Sequence, residues 1–146
     1  PMLIGIDPLL SPELLHSLAA MGHGDEVVIV DRNFPADSIA TRVHRLPGIS
    51  AAQALDAVLS VFPLDTFVPN PAATMQVVGD PDAIPPAVAD LTAVLERHGA
   101  RAAETVERFS FYERARKAFA IVQTGEDRPY GNIILGKGII IAKTEG

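Results

Sequence analysis

His23 stands between Gly22 and Gly24, and the apolar run Val27-Val28-Ile29-Val30 soon after it ends in Asp31. Histidine is the side chain whose ordinary pKa best suits proton transfer near neutrality. Flanking glycines remove the side chains that would crowd its ring. A plainer arrangement fits the same residues: Gly22 caps a helix and His23 follows beside the carbonyl end of the dipole. Asp31 also has two readings. At the carboxyl end of a buried strand it can accept two hydrogen bonds from vicinal hydroxyls. As a solvated residue it would merely open a loop. Asp25, beside the turn, fits a turn-stabilising role.

The other polar candidates are Tyr130-Gly131-Asn132, in the polar loop over 124–132, and Arg108 and Tyr112, which flank a helix start. Arg114, Arg116 and Lys117 read as a solvated helix face. His16, His44 and His98 find no second ligand at metal spacing, so no zinc site is expected. Without cysteine, disulfide and thiolate chemistry are excluded. Gly-His-Gly-Asp lacks the dinucleotide fingerprint, and no Walker sequence or Gly-x-Ser-x-Gly elbow occurs. What is left is one histidine with carboxylates, Arg, Tyr and Asn. Such a set suits a neutral polyol handled without a cofactor.

The elements must position these groups. Ser11-Pro12-Glu13 begins a helix, with Leu14, Leu15, Leu18 and Met21 on one face and Gly22 at a left-handed C-terminal position. Residues 27–30 read as a strand buried on both faces, hence parallel to its neighbours. Further strands are expected over 41–46, 75–78, 105–107, 118–123, 133–135 and 139–141. Helices are expected over 51–61, opened by a Ser50/Gln53 capping box, and over 86–98, closed by Gly99. A second capping box, Ser110 with Glu113, is expected to open the next helix. This alternation predicts a single three-layer α/β/α domain with a mostly parallel central sheet over residues 1–146. It also raises a difficulty: if 27–30 is extended, His23 and Asp31 lie at opposite ends of it. Either the strand is short or sharply bent, or the two serve pockets shared between different subunits.

The 146 residues suit one domain, and 48% hydrophobic with 21% charged residues provide a real core. A net charge of −6 with no basic stripe argues against nucleic acid and anionic membrane surfaces. No signal peptide is recognised, and no run approaches the roughly 18 apolar residues of a membrane span, so a cytoplasmic setting is expected.

Together, the segments 6–15 (I-D-P-L-L-S-P-E-L-L), 21–26 (M-G-H-G-D-E), 31–35 (D-x-x-F-P), 108–115 (R-F-S-F-Y-E-R-A), 117–122 (K-A-F-A-I-V) and 124–135 (T-G-E-D-R-P-Y-G-N-I-I-L) resemble the RbsD/FucU family of sugar mutarotases and pyranases. The likeness is greatest to its L-fucose mutarotase branch. It implies an RbsD-like fold and cofactor-free interconversion of the anomers of L-fucose or a related reducing monosaccharide. It further implies His23 as acid/base, with Tyr112 and Tyr130 as further catalytic candidates. Asp31, Arg108, Tyr130, Gly131 and Asn132 would bind the sugar. The family forms homo-oligomeric rings, commonly decamers, with sites near subunit contacts. The chain departs at Arg32-Asn33, where fucose-type sequences often carry Ala-His. Two other functions share the same residues: a non-catalytic sugar-binding or transport-associated oligomer, and a D-ribose pyranase, against which Tyr112 argues. A third possibility is an interaction protein in which His23 is only a helix-end residue.

Overall fold

The computed structural model describes residues 3–142. In chain order its elements are α1 (Pro12–Ala20), β1 (Glu26–Val30), α2 (Ala36–Ile39), β2 (Val43–Leu46), α3 (Ala51–Leu59), β3 (Ala72–Met75), α4 (Pro86–Arg97), β4 (Glu104–Val106), α5 (Arg108–Lys117), β5 (Ala120–Thr124) and β6 (Ile133–Gly136). The strands form one sheet in the order β2-β5-β1-β6-β3-β4. All run the same way except β6, which is antiparallel to both β1 and β3.

β1 explains why there are two helical layers. Successive side chains of a strand point to opposite faces. Val27 and Ile29 join one apolar cluster with Leu14, Leu18, Leu55, Val58, Leu91 and Leu95 of α1, α3 and α4. Val28 and Val30 join a second with Phe34, Ala36 and Phe111, which brings α2 and α5 to the other face. A run without polar alternation is thus satisfied on both sides, giving the three-layer α/β/α architecture. No helix among the described residues is long and apolar enough to cross a membrane.

Local signals placed several ends well. The Ser11 hydroxyl accepts from the Leu14 N–H at 3.2 Å, and the Ser50/Gln53 box forms in both directions. Other expectations are corrected. Gly22 is not left-handed; α1 ends through the Met21 N–H to Ser17, and the positive φ of 86° falls on Gly24. No box forms between Ser110 and Glu113. α5 begins earlier, because the Glu107 carboxylate accepts from the Phe109 and Ser110 N–H groups at 2.9 and 3.1 Å. The strand expected over 75–78 lies at Ala72–Met75, since pairing with β6 outweighs the β-propensity of Gln-Val-Val. β1 is parallel only towards β5. Residues 139–141 form no strand, and all three isoleucines are exposed. Arg114 is not a freely solvated side chain: it pairs with Glu26 at 2.5 Å and Glu104 at 3.5 Å.

Candidate active site

The amino end of β1 carries His23. The 22–25 turn is pinned from three sides. The Asp25 carboxylate accepts the Gly22 N–H at 2.8 Å, and the Lys137 backbone exchanges two hydrogen bonds of 2.8 Å with Gly24 and Asp25. The Lys137 ammonium donates to the Leu18 and Met21 carbonyls, both at 2.6 Å, neutralising the carbonyl end of α1. His23 Nε2 then lies 3.1 Å from Asp65 Oδ1. The His23 side chain is 45% exposed, and its ring lies 5.3 Å from that of Phe67, tilted.

Asp65 is not among the candidates the sequence singles out; it stands in the connection between α3 and β3. Its position depends on close backbone contact. Its N–H donates to the Gly136 carbonyl at 3.0 Å. Next door, a Cβ on Gly138 would stand 2.5 Å from the Leu64 carbonyl oxygen, so only glycine lets the two segments touch. The Phe67 N–H, followed by His23, holds the Asp65 carboxyl below its ordinary range. An ionised Asp65 accepts, so in the neutral ring Nε2 carries the proton and Nδ1 keeps a lone pair.

The carboxyl end of β1 carries the other candidates. Asp31 is 5% exposed, and its backbone N–H donates to Asn132 Oδ1 at 2.9 Å. Its carboxylate accepts from the Asn33 N–H at 3.0 Å. Burial pushes the Asp31 carboxyl up, and the surrounding N–H donors only partly offset this. Because β6 runs backwards, its amino end, preceded by Tyr130-Gly131-Asn132, arrives beside Asp31. The Tyr130 hydroxyl accepts from the Val78 N–H at 3.1 Å, and its backbone holds a positive φ of 65°. Val78 and Arg108 line one cleft with Gln76, Val77, Pro81 and Phe109. The Arg108 guanidinium lies 4.7 Å over the Phe109 ring, and its buried Nε finds no hydrogen-bond partner among the described residues. A buried N–H of this kind suits a ligand oxygen. Tyr112 packs edge-on against Phe34 at 5.4 Å. Arg32 and Asn33 are exposed just beyond Asp31.

The structure therefore brings Asp31, Asn132 and Tyr130 together, with Arg108 linked to them through the Val78 segment. It does not bring His23 to them. The five residues of β1 alone separate the two ends by roughly 17 Å, longer than a monosaccharide.

Asp31 yields a stability prediction. Its folded-state pKa is raised, so the native fold holds this proton more tightly than the unfolded chain does. The associated stability is full below the ordinary carboxylate range and is lost as pH rises through the raised value. Asp31→Asn keeps the acceptor for the Asn33 N–H without the buried charge. It should raise stability at neutral pH by about 1 kcal/mol, an advantage that disappears on acidification. Thermal unfolding of both proteins across pH checks this.

The family model described as the RbsD / FucU transport protein family matches residues 4–140. A fucose mutarotase of Homo sapiens is 49% identical over 143 residues, covering 93% of this chain and 93% of that protein. An L-fucose mutarotase of Actinobacillus pleuropneumoniae is 47% identical over 145 residues, covering 97% and 100%. The solved structure of a fucose mutarotase from Streptococcus pneumoniae in complex with L-fucose superposes with a TM-score of 0.89. It is 40% identical, covering 95% of this chain and 100% of that one.

Proposed function

The chain belongs to the RbsD/FucU family, and from that premise we propose that it is an L-fucose mutarotase, an isomerase that interconverts the α and β anomers of the free sugar. The observation that carries this reading is the 47–49% identity to fucose mutarotases across at least 93% of each chain. The buried acceptors and donors around Asp31, Asn132 and Arg108 fit a neutral polyol, which is what the Streptococcus pneumoniae protein holds.

The enzyme works as a homo-oligomer, a ring-shaped decamer of single-domain copies spanning residues 1–146, in the cytoplasm. Each site joins the His23 end of one copy to the Asp31 end of the next. Two apolar surfaces support this. Phe67, 66% exposed, flanks His23; Val78 and Phe109, 57% and 63% exposed, flank Arg108 at the other end. A head-to-tail contact would cover both and complete a pocket.

In that pocket Asp31, Asn132 and Arg108 hold sugar hydroxyls, with the Gly131 backbone close against the ring. His23 Nδ1 takes the proton of the anomeric hydroxyl. As the C1 carbonyl forms, the bond from C1 to the ring oxygen breaks, and that oxygen receives a proton. Tyr130 is suited to supply it: its hydroxyl accepts from the Val78 N–H, so its own proton is free to donate. Tyr112 forms a wall through its contact with Phe34. The open aldehyde turns about the bond from C1 to C2, and the steps reverse on its other face. No electrons are transferred.

The test is NMR magnetisation exchange between anomers of L-fucose, D-ribose, D-galactose and D-glucose at equilibrium, with and without protein. Faster exchange of L-fucose is expected. L-fucose binding without faster exchange would replace this reading by a sugar-binding protein. Selective acceleration of ribose ring-form exchange would replace it by a pyranase.

A further inference from the structure

Glu126 is a carboxylate buried to 3% exposure, yet no step above uses it. It sits where three segments of the Asp31 end meet. Its backbone carbonyl accepts the Arg32 N–H at 3.0 Å. Its own N–H donates to the Thr124 hydroxyl at 3.1 Å, which in turn donates to the Val30 carbonyl at 2.8 Å. The carboxylate accepts from the backbone N–H of Arg128 at 3.2 Å and from the Arg128 guanidinium at 3.0 and 3.1 Å. The first N–H of α3, on Ala51, lies 3.4 Å from its other face. Arg128 continues outward to Asp90 of α4 at 2.8 Å.

This cluster abuts the segment that carries the sugar-binding candidates. A Cβ on Gly131 would stand 2.7 Å from Glu126 Cγ, so the glycine backbone lies directly on the glutamate side chain. Immediately before it, Tyr130 is the non-glycine residue with positive φ among the described residues. That conformation costs energy and persists only where its surroundings enforce it. The Glu126 stem, itself held by Arg128, lies against the next residue on one side, and the Val78 N–H holds the Tyr130 hydroxyl on the other.

We propose that Glu126 and Arg128 form a positioning pair that sets the hydroxyl-binding geometry of Tyr130, Gly131, Asn132 and Asp31. The inference rests on the mutarotase reading for its substrate. The pair does not touch the reacting atoms. It acts by holding the 128–132 segment, and through the Glu126 carbonyl the backbone after Asp31, in one arrangement. Releasing the pair lets Tyr130 relax from its left-handed conformation and carries the Asn132 amide away from Asp31. Binding of the sugar then weakens more than the proton transfers at bound sugar.

The experiment compares wild type, Glu126→Gln and Arg128→Met, with Arg128→Lys as the conservative variant. Anomer exchange against L-fucose concentration gives KM and kcat, and hydrogen–deuterium exchange is read on peptides covering 128–133. Expected is a KM raised about tenfold with kcat within about threefold, the scale of losing charge-assisted hydrogen bonds that act on binding. Faster exchange over 128–133 should accompany it, with partial recovery in Arg128→Lys. A merely structural role would lower kcat with the active fraction and leave KM alone. An unchanged KM, or unchanged protection of 128–133, in folded variants overturns the pair. If Glu126→Gln does not fold, the two Arg128 variants decide by the same readings. If wild type accelerates no sugar, the mutarotase reading falls, and exchange over 128–133 still decides whether the pair holds the segment.

Discussion

Substituting His23→Gln should leave a folded, assembled protein whose acceleration of L-fucose anomer exchange falls by about 10²–10⁴-fold, the usual range for a positioned general acid or base. The fold should survive because His23 lies outside both apolar clusters; it hydrogen-bonds Asp65 and stands tilted beside the Phe67 ring. Glutamine can still hydrogen-bond Asp65 but cannot accept and return a proton near neutral pH. Asp65→Asn sharpens the assignment. An amide can donate to Nε2, moving the ring proton to Nδ1 and blocking the base. The expected result is a lower kcat with KM nearly unchanged, the reverse of the pattern for the Glu126 and Arg128 variants. Magnetisation exchange measures both, with circular dichroism and sedimentation confirming fold and assembly. Full activity in folded, assembled His23→Gln would remove His23 from the mechanism.

Mixing two inactive variants should restore activity. His23→Gln lacks the base and keeps the Asp31 end; Asp31→Asn lacks a sugar acceptor and keeps the His23 end. If every site joins opposite ends of neighbouring copies, random reassembly at equal amounts makes about a quarter of the sites wild type at both ends. Activity should therefore rise from near zero to about a quarter of the wild-type value after joint unfolding and refolding, and not when preformed assemblies are simply combined. A site contained within one copy predicts no recovery in either case. The roughly 17 Å of β1 between the two ends makes the shared site the expectation. The measurement is anomer exchange before and after reassembly at fixed total protein.

Much of this protein was legible in its sequence because the signals are local. The unbroken Val27–Val30 run required apolar neighbours on both faces, and with it helices on both sides of a sheet. Ser11 and Ser50 announce their helices because a cap satisfies backbone N–H groups within three residues. The separation of His23 from Asp31 followed from strand length alone. The seam at Gly24, Lys137 and Asp65 was not legible. The bonds that aim His23 join residues 22–25 to 137 and 65, and a single Asp in a loop carries no local mark of such a partner. The shift of β3 to Ala72–Met75 has the same origin, since register is set by pairing with β6 and not by propensity. Likewise, nothing in Thr-Gly-Glu-Asp-Arg distinguishes a solvated loop from a buried Glu126 that pairs with Arg128 and lies against Gly131. By itself, then, the sequence determined most of the elements, the layers and the chemistry of the polar residues, because periodicity, caps and side-chain type act over a few positions. Only the tertiary structure decided which carboxylate faces the histidine and that Asn132 meets Asp31, because those contacts are made between segments tens of residues apart.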